Sequence, residues 1–288
     1  MSLIQLVGVL GSGTMGAGIA QASAQKGYKV FLYDIEQGFL DKALGRIEST
    51  LQKGVEKGKV SAEEKDTALQ NLSLTTRLDD LEGCDLIIEA VPEDMDLKKK
   101  LFAQLDGLCK AETILVSNTS SLSITALGGA TQRPAQVAGL HFFNPVALMK
   151  LVEVIRGQRT SEETVQALLD FSKSLGKTPV TAKDTPGFIV NRVARPFYGE
   201  AFKILGENGG REDVIRTIDT VMKQAGGFRM GPFELMDLIG IDVNFAVTQS
   251  VYNAYFQNNR YKPHPIQQKM VEAGLLGQKT GEGFYKYD

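Results

Sequence analysis

The chain has 288 residues, 43% of them hydrophobic and 23% charged, which is ordinary for a globular protein of one or two domains. Its 32 basic and 34 acidic residues give a net charge of −2, which excludes the basic composition of nucleic-acid binders and of proteins drawn to anionic membranes. The apolar runs are far shorter than the roughly 18–20 residues of a membrane span, so no membrane association is predicted and the cytoplasm is the expected location.

The chain begins with the pattern of a βαβ unit. An apolar run at 3–10 predicts a buried parallel strand, small residues at 14–26 predict a helix, and 29–33 predicts a second strand that ends at Asp34. Helical spacing follows at 39–51, and a capping box at 61–64 opens another helix. The two helices interrupt the alternation, so we predict an inserted helical hairpin at about 36–71.

The α/β alternation then resumes as far as Asp184. A helix after Asp94 should place its leucines (Leu97, Leu101, Leu105 and Leu108) on one face, and another helix is predicted at 162–175. Further strands are predicted at 72–76, 85–91, 113–118, 136–142, 150–155 and 178–182.

The pattern changes to helices alone after Asp184. Thr185 suits the N-cap and Pro186 the first turn of a helix that would open the second domain. We therefore predict two domains, 1–184 and 185–288, the second all-helical.

A glycine motif joins the first strand to the first helix. Gly11, Gly13 and Gly16 form Gly-x-Gly-x-x-Gly, in which the first glycine permits a tight turn, the second lets the backbone approach a pyrophosphate, and the third lets helix and strand pack closely. Asp34 can accept hydrogen bonds from ribose hydroxyls and would repel a 2′-phosphate, which favours NAD over NADP. The alternative is a plain glycine-rich turn, and FAD shares the fingerprint. With strand, helix and acidic residue all in place, the prediction is an α/β, Rossmann-type doubly wound sheet that binds a dinucleotide.

Polar residues follow several predicted strands, where ligands of open α/β sheets bind. Glu93 precedes a helix and could simply cap it, Lys98 could face either cofactor or solvent, and Ser120 could be an ordinary turn serine. His141 lies at the end of a later predicted strand, and Asn144 follows that strand. Together they predict a polar cluster at the place where a nicotinamide would lie.

His141 is one of only two histidines, and Glu153 follows it inside an apolar run. By itself a histidine after an apolar strand favours a satisfied core residue over a catalytic one. Asn191 lies in the apolar helix that opens the second domain and either bonds backbone or reaches across a cleft to substrate. His264 is expected to be exposed in a proline-rich turn, and no metal site is predicted.

Two smaller features complete the pattern. Lys53, Lys57 and Lys59 lie at the tip of the hairpin, either as an ordinary solvated surface or as a patch for a phosphate-bearing substrate. Cys84 and Cys109 are predicted to be buried free thiols.

The whole chain resembles the L-3-hydroxyacyl-CoA dehydrogenases, especially the short bacterial 3-hydroxybutyryl-CoA dehydrogenases. The resemblance is carried by "GSGTMGAGIA", "EAVPED", "SNTSSLSIT", "GLHFFNPVALMKLVEVI", "KDTPGFIVNR", "GPFELMDLIG" and "KTGEGFYKY".

The resemblance implies a role for each candidate residue. It implies reversible oxidation of a 3-hydroxyacyl-CoA such as 3-hydroxybutyryl-CoA with NAD, an acyl-CoA substrate held by the hairpin, and a homodimer formed through the second domain. It implies that His141 is the general base, that Glu153 is its carboxylate partner, and that Ser120 and Asn191 contact substrate. The implied NAD-binding set is Gly11, Gly13, Gly16, Asp34, Glu93, Lys98 and Asn144.

Two alternatives stay open. One is a dehydrogenase of free hydroxy or sugar acids, against which the lysine-tipped hairpin argues. The other is a non-catalytic NAD-binding protein, against which the His141–Glu153 pair argues.

Overall fold

The computed structural model of the chain describes residues 4–287. The chain divides into two units, Met1–Thr185 and Pro186–Asp288. Strands and helices alternate through the first unit. The strands are β1 (Leu6–Leu10), β2 (Lys29–Tyr33), β3 (Leu72–Thr75), β4 (Leu86–Glu89), β5 (Ile114–Ser117), β6 (Val137–Phe142), β7 (Leu151–Arg156) and β8 (Thr178–Lys183). The helices of this unit are α1 (Thr14–Ala24), α2 (Gln37–Glu56), α3 (Ala62–Gln70), α4 (Met95–Leu108), α5 (Ile124–Gly128) and α6 (Glu162–Ser174). The predicted fold class is confirmed.

The eight strands form one sheet in the order β3-β2-β1-β4-β5-β6-β7-β8. The pairs are parallel except for β6 with β7, which is antiparallel. The core consists largely of branched aliphatic residues such as Val7, Ile88 and Val116, as expected for strands covered on both faces. The arrangement brings the carboxyl ends of β1, β4, β5 and β6 to one edge of the sheet.

The inserted hairpin consists of α2 and α3. The capping box is confirmed: Ser61 Oγ accepts from the backbone of Glu64, and the Glu64 carboxylate accepts from the backbone N–H of Ser61. Leu40, Ala43, Ile47 and Leu51 of α2 are buried, which attaches the hairpin to the rest of the unit.

Helix α4 corrects the predicted leucine face. Its buried residues are Lys98, Phe102 and Leu105, whereas Leu97 is 38% exposed. The face that meets the sheet is rotated by one residue because Lys98 has a buried ionic partner there, which hydrophobic spacing does not reveal.

Both cysteines are buried free thiols, as predicted. Burial raises the pKa of the Cys84 thiol to about 12 and that of Cys109 to about 11. Both thiols are therefore protonated and weakly nucleophilic at neutral pH.

The second unit is helical, with α7 (Val190–Glu207), α8 (Glu212–Gln224), α9 (Pro232–Ile239), α10 (Ile241–Ala254) and α11 (Pro265–Glu272). The prediction that α7 opens at Thr185 and Pro186 is wrong. Gly187 (φ 75°) and Phe188 (φ 48°) have left-handed backbone, which a right-handed helix cannot contain, so the helix begins after them.

Two buried carboxylates organise the second unit. Asp219 accepts hydrogen bonds from the backbone of Phe233 and Glu234 and so holds the start of α9. Asp237 accepts from the backbone of Phe284 and Tyr285 and fixes the C-terminal segment.

His264 is half-buried rather than exposed. Its ring stacks on Phe202 with centroids 5.5 Å apart, and its Nδ1 accepts from the backbone N–H of Ile266 at the start of α11. The prediction of an exposed histidine is wrong because the turn packs against α7.

No helix among residues 4–287 is both long enough and apolar enough to cross a membrane. Within that range there is also no cluster of three or more metal-ligating side chains.

Candidate active site

The glycine loop between β1 and α1 has the geometry of a phosphate cradle. Gly11 has φ 91°, and a Cβ there would lie 2.7 Å from the carbonyl oxygen of Ala90. A Cβ on Gly16 would lie 1.8 Å from the carbonyl oxygen of Gly11, so only glycine fits. Gly13 is the N-cap of α1, makes no side-chain cap, and has nothing within 4 Å of a Cβ position. The first turn of α1 therefore presents its N–H groups to open space, which fits a pyrophosphate.

Asp34 lies beside this loop at the end of β2. Its Oδ2 accepts from both the backbone N–H and the hydroxyl of Ser12, each at 2.7 Å, and its Oδ1 accepts from the N–H of Ile35. The carboxylate thus holds the loop and also places negative charge where a ribose would bind. Arg46 of α2 donates to the carbonyl oxygen of Ser12 at 2.6 Å, a loop contact that the pattern of an exposed helix residue did not reveal.

Lys98 and Glu89 form a buried ion pair under the ends of β4 and β5. The Lys98 Nζ lies 2.6 Å from Glu89 Oε1 and 3.3 Å from Glu93 Oε2, and Lys98 is only 1% exposed. Ser117 Oγ donates to Glu89 Oε2 at 2.6 Å. Lys98 therefore faces neither solvent nor open space, and any role in cofactor binding passes through Glu93.

Glu93 links this ion pair to the loop that follows β5. Its Oε1 accepts from the hydroxyl of Thr119 and from the backbone N–H of Ser120 at 3.1 Å. Capping is not its role, because the N-cap of α4 is Asp94, which accepts from Leu97 N at 2.8 Å. Its side chain remains 42% exposed, so it can also accept hydrogen bonds from a ligand.

His141 and Glu153 face each other across the antiparallel pair β6–β7. They are direct partners in the register, and His141 Nδ1 lies 2.8 Å from Glu153 Oε2. His141 is 5% exposed and Glu153 is fully buried. A buried carboxylate is stabilised as an anion by such a donor, so Nδ1 is assigned as the protonated nitrogen and donates to it. Nε2 then carries the lone pair and can accept a proton.

Ser120 brings a hydroxyl to the other side of the imidazole. Its Oγ lies 3.3 Å from His141 Nε2. Asn118, which the prediction did not assign, accepts from the backbone N–H of Phe142 at 2.9 Å and so ties the end of β5 to the end of β6. The unit thus joins Glu93, Ser120, His141 and Glu153 in one continuous chain of hydrogen bonds.

The remaining candidates lie apart from this chain of bonds. Asn144 is exposed in the turn after β6. Lys53, Lys57 and Lys59 are exposed at the junction of α2 and α3, and no ion pair is formed by their side chains within residues 4–287. In the second unit, Asn191 is the second residue of α7 and its Oδ1 lies 3.4 Å from Arg195 Nη2.

The comparisons with known proteins agree with this geometry. Residues 6–185 match "3-hydroxyacyl-CoA dehydrogenase, NAD binding domain", and residues 187–287 match "3-hydroxyacyl-CoA dehydrogenase, C-terminal domain". The chain belongs to the 3-hydroxyacyl-CoA dehydrogenase family. The predicted enzyme class and the predicted cofactor, NAD, are thereby confirmed.

The names of individual relatives specify different acyl groups. The chain is 49% identical to the 3-hydroxyadipyl-CoA dehydrogenase of Escherichia coli over 99% of its own length, and it spans 59% of that protein. It is 46% identical to a probable 3-hydroxybutyryl-CoA dehydrogenase of Deinococcus radiodurans, over 97% of this chain and 99% of the relative. The crystal structure of (S)-3-hydroxybutyryl-CoA dehydrogenase from Ralstonia eutropha is 43% identical with a TM-score of 0.92, over 99% of both chains.

Proposed function

We propose that this protein interconverts (S)-3-hydroxyacyl-CoA and 3-ketoacyl-CoA, with 3-hydroxybutyryl-CoA and acetoacetyl-CoA as a substrate pair and His141 as the general acid and base. The observation that carries the proposal is the hydrogen-bonded series Ser120–His141–Glu153, in which Nδ1 is held by a carboxylate and Nε2 is left to exchange a proton.

NAD supplies the hydride chemistry, and the residues of this chain orient the substrate and move the proton. In the oxidation direction, His141 Nε2 takes the proton of the 3-hydroxyl group as the hydride leaves C3. In the reduction direction, the imidazolium returns that proton to the oxygen. An imidazole can both accept and donate a proton, which suits both directions.

Glu153 fixes the ring and stabilises the imidazolium, as the carboxylate does in a serine-protease triad. Ser120, whose Oγ lies 3.3 Å from Nε2, is proposed to act here as a hydrogen-bond donor and not as a nucleophile. Ser120 and Asn191 are proposed to donate hydrogen bonds to the 3-oxygen as negative charge develops on it. The glycine loop, Asp34, Glu93 and Asn144 are proposed to contact the cofactor, with Lys98 acting as a positioning residue for Glu93.

The hairpin lysines are proposed to bind the phosphates of coenzyme A, since three ammonium groups without an ion-pair partner among residues 4–287 lie within seven residues of chain. Acetoacetyl-CoA should therefore oxidise NADH, and free acetoacetate should not. Replacing Lys53, Lys57 and Lys59 by glutamine should raise KM for acetoacetyl-CoA about tenfold, the sum of several weak exposed ion pairs.

The lysine experiment has a matched control. Three exposed lysines that pair with carboxylates elsewhere, Lys173, Lys203 and Lys286, provide an equal loss of charge. Their triple glutamine variant should leave KM unchanged. Equal NADH oxidation by acetoacetate would reject the acyl-CoA reading in favour of a free-acid dehydrogenase, and no turnover with either would favour a non-catalytic protein.

The protein is proposed to be cytoplasmic. Its second unit is proposed to form a homodimer. It exposes large apolar side chains, among them Val193 (70%), Val221 (53%) and Leu238 (51%), and such side chains mark an interaction site where they form one patch. Sedimentation at micromolar concentration should give twice the mass of one chain. A monomer under those conditions would refute the dimer.

A further inference from the structure

Arg195 of α7 is a buried cation that no described carboxylate neutralises. It is 4% exposed, and its Nη1 donates to the carbonyl oxygen of Asn244 at 2.9 Å and to Thr248 Oγ1 at 2.8 Å. Its guanidinium lies 5.0 Å from the ring centre of Tyr198. Burial lowers the pKa of Arg195 to about 10, so it remains charged at neutral pH. These neutral contacts orient the charge but do not compensate it, and a buried charge is costly unless it is paired.

The cavity beside Arg195 lies within the second unit and is lined by donors. Its polar lining includes Arg195, Arg260, Lys262, Thr248 and Gln267, and none of the lining residues is a carboxylate. Three cations at one cavity without an anion give a positive potential that favours an anionic ligand.

A second observation at the same place is a poorly satisfied donor. Asn244 is 1% exposed, its Oδ1 accepts from Gln267 Nε2 at 2.8 Å, and its Nδ2 has only a weak contact, with the Tyr198 hydroxyl. Buried polar groups are nearly always hydrogen-bonded. A poorly satisfied buried donor next to an uncompensated guanidinium fits an anionic acceptor that binds here.

Asn191 connects this cavity to the reaction. Arg195 follows Asn191 by one helical turn on α7, its Nε donates to the Asn191 carbonyl oxygen at 3.2 Å, and its Nη2 lies 3.4 Å from Asn191 Oδ1. Positions i and i+4 of a helix lie roughly 5–6 Å apart. In a six-carbon acyl chain, C6 lies three bonds, or about 4 Å, beyond C3. A carboxylate at C6 of a substrate whose 3-oxygen contacts Asn191 can therefore reach the Arg195 guanidinium.

We propose that Arg195 is the residue that selects acyl-CoA substrates with a second carboxylate at the far end of the acyl chain. The inference rests on the proposed function, because it uses Asn191 as the contact to the 3-oxygen. Arg195 binds the distal carboxylate through its remaining Nη2 N–H, Asn244 Nδ2 supplies a further donor, and Arg260 and Lys262 add positive charge. Acetoacetyl-CoA, which has no such group, remains a substrate of lower kcat/KM.

The test compares two six-carbon substrates that differ only in the distal group, 3-oxoadipyl-CoA and 3-oxohexanoyl-CoA, with NADH. The wild-type protein should have a kcat/KM roughly 10- to 100-fold higher for the dicarboxylic substrate, the range expected for a charge-assisted hydrogen bond. Arg195→Met should abolish that preference, measured as the ratio of the two kcat/KM values, so that any effect of the substitution on Asn191, which both substrates share, cancels. Arg195→Lys should keep part of the preference, and Arg211→Gln, on an exposed arginine paired with Asp213, should keep all of it.

Two results would overturn the assignment. If the wild-type protein does not distinguish the two substrates, the cavity does not read a distal carboxylate. If Arg195→Met and Arg195→Lys lower both activities equally, Arg195 is a packing residue or pairs with a carboxylate of a second copy, and sedimentation of the variants tells these two apart. Failure of the proposed function gives a different outcome, since neither thioester would then oxidise NADH.

Discussion

Replacement of His141 by alanine is expected to lower kcat by about 10²–10⁴-fold, the usual contribution of a general acid and base. NADH affinity, measured by fluorescence titration, should stay within a few-fold, because the glycine loop and Asp34 do not contact the imidazole. Added imidazole should restore part of the activity, since it can enter the space left by the side chain. Turnover near the wild-type level would show that another group transfers the proton.

Glu153→Gln provides the companion variant to that experiment. The amide can still occupy the site but cannot stabilise the imidazolium, and it can turn its NH₂ group toward Nδ1, which would leave Nε2 protonated. We expect a large loss of kcat together with loss of the downfield Nδ1–H proton resonance. Retention of that resonance alongside a low kcat would show that Glu153 does not set the tautomer.

The largest expected loss of stability follows from Lys98→Met. Lys98 and Glu89 are 1% and 0% exposed and lie 2.6 Å apart, so removal of the ammonium leaves an uncompensated carboxylate in the core. Breaking one side of a buried ion pair typically costs about 3–5 kcal/mol in the free energy of unfolding. Urea unfolding monitored by circular dichroism measures the change.

A second substitution separates charge from packing. In Lys98→Met with Glu89→Gln, the buried charge is gone and Ser117 still donates to the side chain. The double variant should therefore recover much of the stability that the single variant loses. If the double variant is as unstable as the single one, the loss arises from packing of the Lys98 methylenes rather than from the buried carboxylate.

Much of the fold follows from hydrophobic periodicity in the sequence. The second strand was predicted with its observed bounds, Lys29–Tyr33, because it lies between a Gly-Tyr break and a terminal aspartate. Helix α5 was missed: Ser123 caps it by accepting from Ala126 N, but in a serine-rich segment a capping serine has no distinguishing pattern. A helix of five residues is too short to show the apolar spacing of a longer helix, so its cap is the main signal in the sequence.

The candidate site was only partly predictable for the same reason. His141 and Glu153 are separated by a turn, and the fold-back that pairs them was predictable from two apolar runs joined by Asn144 and Pro145. Asn191 was placed in a helix interior, whereas the left-handed backbone at 187 and 188 puts it in the first turn of α7. Arg195 and Arg46 gave no signal, because a single arginine in a helix reads as a solvated residue until its neighbours are known.

The antiparallel pairing of β6 with β7 also defines what protein engineering could change. The turn after Asn144 can be lengthened, shortened or exchanged with that of a related enzyme while the histidine and the glutamate remain opposite each other. A deletion of one residue inside either strand would instead shift every later side chain to the other face of the sheet, and the imidazole would lose its carboxylate. Graft boundaries in this region therefore belong in the turn, and never within Val137–Phe142 or Leu151–Arg156.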